Sequence, residues 1–183
     1  MMYELSNKVF GADNQQERLE LKSWIVGFTD GEGTFSVSII KNKTTKSGWQ
    51  VFPEFVITQG EKSLHVLKTI REYFGCGSIF VNKRYDNHTE NLYRFCVRSL
   101  RDLNEVIIPF FDQYQLQTAK KNDFLIFKTI IAMLLNKEHL TDRGLKKIAQ
   151  HIEKMNRKKQ SRFLESLETI RQASHQNFDG RKI

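Results

Sequence analysis

Cysteine is scarce: the 183 residues hold two, Cys76 and Cys96, and neither has a second Cys or a His at metal-ligand spacing. That excludes a disulfide framework and a zinc-finger module, and leaves two buried thiols of a reducing compartment as the expectation. Long hydrophobic runs are missing as well. No stretch approaches the ~20 apolar residues that a membrane span needs, and the opening segment carries Glu4, Asp13, Glu17 and Glu20, unlike a signal or transit peptide. The five histidines, at 65, 88, 139, 151 and 175, form no cluster, so a zinc nuclease or a His-Asn-His nuclease finds no support. No segment repeats. The expectation is an intracellular protein that uses neither a membrane nor a small-molecule substrate.

What the chain has is positive charge and phenylalanine. Lys and Arg number 29 against 21 Asp and Glu, a net charge of +8, and the resulting field favours a polyanion, nucleic acid first, although a bland basic surface has the same composition. The 14 phenylalanines fall largely at helical and strand spacing, which core packing explains better than base stacking. Phe52 and Phe80 are the two for which stacking or methyl contacts on DNA stay open.

The hydrophobic pattern gives the order α-ββ-α-ββ followed by helices. Residues 1–20 are polar without a period and read as a loosely held arm, with the first helix starting near Leu19 and halted by Gly31 and Gly33, residues suited to a left-handed exit. Phe35, Val37 and Ile39 then alternate with Thr34, Ser36 and Ser38 as a half-buried strand. A basic loop, residues 42–48, leads to a second strand over 49–59, in which Pro53 suggests an edge or a bulge. A helix over 62–74, closed by Gly75 and Gly77, precedes a second hairpin with arms at 78–85 and 92–98. Helices follow over roughly 100–113, 118–135, 142–155 and 160–173. Two hairpins with helices between and after them make an α+β fold with helices on one face of an antiparallel sheet.

With Phe35, Val37 and Ile39 turned inward, the other face of the first hairpin carries Ser36, Ser38, Gln50, Phe52, Glu54 and Thr58, with Lys41, Lys43 and Lys46 toward its tip. The second hairpin adds Ser78, Phe80, Asn82, Arg84, Arg94 and Arg98 if Ile79, Val81, Tyr93 and Phe95 point inward. A two-stranded ribbon fits the DNA major groove, and several of these side chains pair with base edges there. A solvated sheet surface looks much the same.

The densest signal is the stretch Trp24 to Gly33, WIVGFTDGEG. Gly27 and Gly31 lie four apart, on one helix face, where small residues let two backbones approach. Asp30 and Glu32 follow at the helix end, where the dipole disfavours negative charge. A divalent cation held by carboxylate oxygens would offset that cost, and could activate water and stabilise a phosphate oxyanion. An ordinary helix-to-strand turn has the same Gly-Glu-Gly spacing.

This stretch resembles the motif of the LAGLIDADG homing endonucleases. The likeness continues through Ile57-Thr58-Gln59, Gly75-Cys76-Gly77, Pro109-Phe110, the segment Thr118 to Phe124, the segment Asn136 to Thr141, and Gly144-Leu145, covering about residues 21–156, with 157–183 as a helical extension of the same domain. The resemblance implies an αββαββα fold with a saddle-shaped sheet astride double-stranded DNA and two motif helices side by side at its centre. A single motif implies a symmetric homodimer with Trp24, Gly27 and Gly31 at its interface, and a long, roughly palindromic target cut to short 3' overhangs.

The resemblance also implies roles. Glu32, at the second acidic position, and the Gly31 carbonyl would hold Mg²⁺, with Mn²⁺ able to substitute and Ca²⁺ supporting binding without cutting. Asp30, at the first acidic position, would be structural. Gln59 is similar to the residue that hydrogen-bonds solvent around the metal, and Lys120 or Lys121 to the basic residue of the site. Trp24 is bulkier than the usual aliphatic residue, and Pro53 interrupts a strand expected to lie over DNA. The alternative function is a binding module on the same scaffold, an intron RNA maturase or a DNA-binding regulator. The resemblance places the protein with the host DNA, in an organelle or a prokaryotic cytoplasm.

Overall fold

The structure, a computed structural model, describes residues 6–82 and 90–155, the side chains of residues 6–15, 17 and 18 excepted. Its elements run α1 (Ser6–Glu32), β1 (Gly33–Lys41), β2 (Trp49–Gly60), α2 (Leu64–Phe74), β3 (Ser78–Asn82), β4 (Leu92–Val97), α3 (Leu100–Asp102), α4 (Ile108–Gln113), α5 (Lys120–Leu135) and α6 (Asp142–Met155). The strands hydrogen-bond in the order β1-β2-β4-β3. The α+β class expected from the sequence is the class observed.

Two boundaries differ from expectation. Helix α1 starts at Ser6, well before Leu19. Gln16, Leu19 and Glu20 on it are exposed, and residues 6–18 carry no apolar helical period that would advertise the helix in the sequence. At its other end α1 continues through Gly31 to Glu32, and neither Gly31 nor Gly33 has a positive φ. The left-handed exit is found instead at Gly75, whose φ of 64° closes α2 with its N–H on the Arg71 carbonyl at 2.9 Å. The helix expected near residues 160–173 lies outside the described residues, as does Arg84.

Pro53 sits on an inner strand rather than an edge strand. The β2–β4 ladder begins at Phe55, however, pairing Phe55 with Val97 and ending at Gly60 opposite Leu92. The half of β2 that contains the proline therefore asks for no hydrogen bond from that ladder.

The chain divides into two compact units, residues 1–34 with 55–121, and residues 35–54 with 122–183. In the first, fully buried Phe55 is the hub: its ring lies 5.5 Å from Phe111, 6.2 Å from Phe95 and 6.4 Å from Phe74, all near edge-on. Ile25, Ile57, Leu67, Ile70, Leu103 and Ile107 complete that core. Emptying one such aromatic site costs about 3–5 kcal/mol, a large part of the ~5–15 kcal/mol that stabilises a domain. A turn of π-helix, Leu103–Ile107, precedes α4. It shifts the ladder just before Pro109, which has no N–H to give.

In the second unit Phe35 packs against Phe124 at 5.3 Å and Phe127 at 5.4 Å. Ile130, Ile131 and Leu134 of α5 and Leu145, Ile148, Ala149 and Ile152 of α6 are buried there. Phenylalanine thus serves the core, as its spacing indicates.

Two histidines of the second unit carry a pH consequence. Burial pushes His139 below its ordinary value, and burial together with Lys154 and Lys147 does the same to His151. A histidine whose folded value lies below the unfolded one, about 6.5, binds protons more readily unfolded, so its stabilisation is full above that pH and is lost as pH falls toward the folded value. The urea midpoint should therefore be lower at pH 5 than at pH 7.5, and a His139→Asn/His151→Gln variant should narrow the gap. An unchanged gap in that variant would contradict the assignment.

Candidate active site

The end of helix α1 is built by an exchange of caps with the start of α5. A helix C-terminus carries partial negative charge on its unsatisfied carbonyls. Here the Lys120 ammonium donates to the Thr29 carbonyl at 2.9 Å and the Gly31 carbonyl at 3.3 Å. A helix N-terminus offers unsatisfied N–H groups, and just ahead of α5 these meet Asp30. Its Oδ2 accepts from the Gln117 N–H at 2.8 Å; its Oδ1 accepts from the Thr118 N–H at 3.2 Å and the Thr118 hydroxyl at 2.7 Å. Burial raises the Asp30 carboxyl, but the hydrogen bonds from Gln117 and Thr118 and the charge of Lys120 outweigh it and hold the group below the ordinary carboxylate range.

Part of the dipole cost at Asp30 and Glu32 is therefore offset within the protein itself. A metal ion is not needed for that purpose. The case for one rests on Glu32, which is exposed and accepts no hydrogen bond among the described residues.

Lys120 and Lys121 part company at this point. Lys120 is half-buried against α1, whereas Lys121 is exposed and donates to Gln115 Oε1 at 2.8 Å. Adjacent residues on a helix diverge by about 100°, so only one of the two reaches the end of α1. Gln59 pairs with Tyr93 across the sheet and shares its face with Phe55 and Ile57, opposite Thr58. Among the described residues no hydrogen bond joins Gln59 to Glu32 or Lys120.

Gly33 has a steric role in place of the conformational one expected. A Cβ there would lie 2.5 Å from Thr29 Cγ2 and 2.8 Å from the Thr29 carbonyl oxygen, and Thr29 is fully buried with no partner for its hydroxyl among the described residues. Gly27 and Gly31 are different: a Cβ on either would meet nothing within 4 Å. They share an open face of α1 with Trp24, 39% exposed and stacked on Phe28 at 5.1 Å. Ile25 and Thr29 form the buried face.

The sheet residues fall largely where alternation puts them, but Val81, expected inward, is exposed. In the first unit Thr58, Arg94 and Phe80 lie side by side on three strands, and Val56, Cys96 and Ser78 form the next row. Asn82 is opposite Leu92, and the Arg98 guanidinium sits 5.1 Å from the centre of the Phe80 ring. In the second unit Ser36 donates to Glu54 at 3.5 Å, which puts both on one face. Ser38, Lys41, Lys43, Lys46 and Gln50 are exposed and Phe52 is half-buried. Lys41 lies 5.7 Å from the centre of the Trp49 ring.

Sequence reasoning missed Asn42. Its side-chain oxygen accepts from the Thr44 N–H at 3.0 Å and the Thr44 hydroxyl at 2.7 Å, and its amide donates to Gln50 Oε1 at 2.8 Å. An Asn at the start of a basic loop is the signal that could have found it. Gln117 and Thr118, which anchor Asp30 from 87 and 88 residues away, left no local signal of that pairing.

Comparison with known proteins decides the family. The family model described as LAGLIDADG endonuclease matches residues 25–131. The chain belongs to this family. A probable intron-encoded endonuclease 2 of Neurospora crassa is 40% identical over 134 residues, 73% of this chain and 29% of that protein. The chain spans about a quarter to a third of the length of the curated relatives it first matches. Among solved structures, the homing endonuclease I-TnaI is 39% identical with a TM-score of 0.71, covering 81% of this chain and 97% of that one. I-SmaMI, bound to uncleaved DNA in the presence of calcium ions, is 37% identical with a TM-score of 0.71, covering 80% of this chain and 48% of that one. The matched residues take in the end of α1, with Asp30, Glu32 and the carbonyls that Lys120 engages.

Gly33→Ala should cost on the order of 1–3 kcal/mol, the range for overfilling a packed site. Gly27→Ala, with open space around it, should leave the chain as stable or raise stability by up to about 1 kcal/mol through helix propensity. Urea unfolding of the two variants checks this, and equal effects would show that the steric distinction is wrong.

Proposed function

We propose that the chain is a DNA-cutting unit of a homing endonuclease, hydrolysing one phosphodiester in each strand of a long, roughly palindromic site. The observation that carries this is the meeting of an open carboxylate, Glu32, and a fixed ammonium, Lys120, at one helix end within the family's motif. A binding protein has no need of an acid beside a phosphate.

The donor set suits a hard divalent cation, Mg²⁺ or Mn²⁺ for cutting and Ca²⁺ for binding alone: the Glu32 carboxylate and the Gly31 carbonyl are both oxygen ligands. Among the described residues no three His, Cys, Asp or Glu side chains gather, so one chain supplies part of a coordination shell, which phosphate oxygens, water or a second copy would complete. When bound, the cation supplies an acidified water and stabilises charge on the phosphate. The protein's own groups do the rest. Glu32 holds its carboxylate at the scissile phosphate, and Lys120, the one lysine turned to α1, steadies the charge that develops there. Gln59 orients solvent at the edge of the site.

A second copy of the fold packs on the open face of α1, with Trp24, Gly27 and Gly31 at the contact, so that each Glu32 serves one strand. DNA lies along the sheet residues Thr58, Arg94, Phe80 and Arg98 of the first unit; Ser36, Ser38, Gln50 and the loop lysines of the second unit are candidate DNA contacts in their own right. Arg, Lys, Gln and Asn suit base edges and phosphates. The similarity to probable intron-encoded endonucleases supports a role at DNA within the host genome.

The test is cleavage of a library of randomised DNA sites. Intact protein with Mg²⁺ is expected to cut both strands, Glu32→Gln to bind in Ca²⁺ with similar Kd yet cut at least about 10²-fold more slowly, and Lys120→Met to lose far more rate than Lys121→Met. Tight binding without cutting in any divalent metal would instead identify a splicing factor or regulator. Equal loss at the two lysines would remove Lys120 from its assigned role.

A further inference from the structure

We propose that Asp30, the first acid of the motif, is the positioning residue for Lys120: it anchors the turn from which that lysine reaches the active site. The inference rests on the assignment of Lys120 to the cutting site given above, and assigns Asp30 no contact with metal or DNA.

A set of hydrogen bonds closes a ring. Both Asp30 oxygens are engaged by donors in the two residues Gln117 and Thr118. Thr118 then organises the first turn of α5: its hydroxyl accepts from the Lys120 N–H at 3.3 Å while donating to Asp30, and its carbonyl accepts from the Lys121 N–H at 3.0 Å. From that turn the Lys120 side chain returns to the Thr29 and Gly31 carbonyls, which flank Asp30 in sequence. The ring runs Asp30, Thr118, Lys120, and back to the two neighbours of Asp30.

Its function follows from the two adjacent lysines. A slip of one position in the α5 turn would rotate Lys120 away by about 100° and offer Lys121 or nothing to the end of α1. A carboxylate is well matched to hold the turn, because it presents two acceptors to three donors and lies at the positive end of α5. Asn has one acceptor; its NH₂ would face either the Gln117 N–H or the Thr118 donors. A displacement of about 1 Å in a reacting group costs on the order of 10²-fold in rate, so loss of the anchor should be visible in the chemical step.

Four measurements on Asp30→Asn in the full chain decide the matter. Single-turnover cutting in Mg²⁺ should fall by about 10- to 10²-fold, while Kd for the DNA site in Ca²⁺ stays within about twofold, the split a positioning role requires. Amine labelling of the free protein, followed by mass spectrometry, should show Lys120 reacting more slowly than Lys121 in the parent chain and losing that protection in the variant. Backbone amide exchange should quicken at Gln117 and Thr118 and stay unchanged at Leu67 and Ile70.

Should Asp30→Asn fail to fold, Thr118→Val removes one arm of the ring with the carboxylate in place and should give the same pattern at smaller size. A variant that cuts at the parent rate, one whose DNA binding falls in step with cutting, or one whose Lys120 stays protected overturns the proposal. If the parent chain cuts no DNA, it is the endonuclease reading that fails, and the labelling result alone decides whether Asp30 places Lys120.

Discussion

The end of one helix and the start of another exchange charge in this molecule, and the geometry of the candidate active site depends on that exchange. Helix α1 ends in a region of negative potential and nevertheless carries two acids. Asp30 is accommodated because the N–H groups ahead of α5 donate to its carboxylate, and Lys120 returns a positive charge to the α1 carbonyls. Glu32 is the group left over. Its neighbour is satisfied by the protein, and its own carboxylate is exposed, which is the condition for a ligand supplied from outside.

The same economy appears in the helix faces. Along the last turns of α1, Ile25 and Thr29 are buried while Trp24, Gly27 and Gly31 are open. Gly33, just beyond, is fixed by the Thr29 side chain and backbone rather than by any unusual dihedral. Three glycines in one motif therefore answer two different demands, close packing inside the chain at Gly33 and an unobstructed surface at Gly27 and Gly31.

Much of this was legible in the sequence. Period-two alternation put Phe35 and Val37 inside and Ser36 and Ser38 on the opposite face, and it put Thr58, Arg94 and Phe80 on one face without giving the register that lines them up. Helix α6 has the bounds its apolar spacing predicts. The beginning of α1 was not legible, because residues 6–18 carry no apolar helical period to reveal it. Nor was the choice between Lys120 and Lys121, which turns on a helix start two residues later than the pattern suggests and on a tether to Asp30 spanning 88 residues of chain. A pairing of that length is set by tertiary structure, and single-sequence periodicity does not record it.

The central claim is that each Glu32 serves one strand of a DNA site held by two copies of the fold. It is tested most directly by linking two copies in one chain, one carrying Glu32→Gln, and mapping the breaks on a cleavable site. The account predicts a nick in a single strand, with the other intact. Cutting of both strands, or loss of cutting in both, would contradict it.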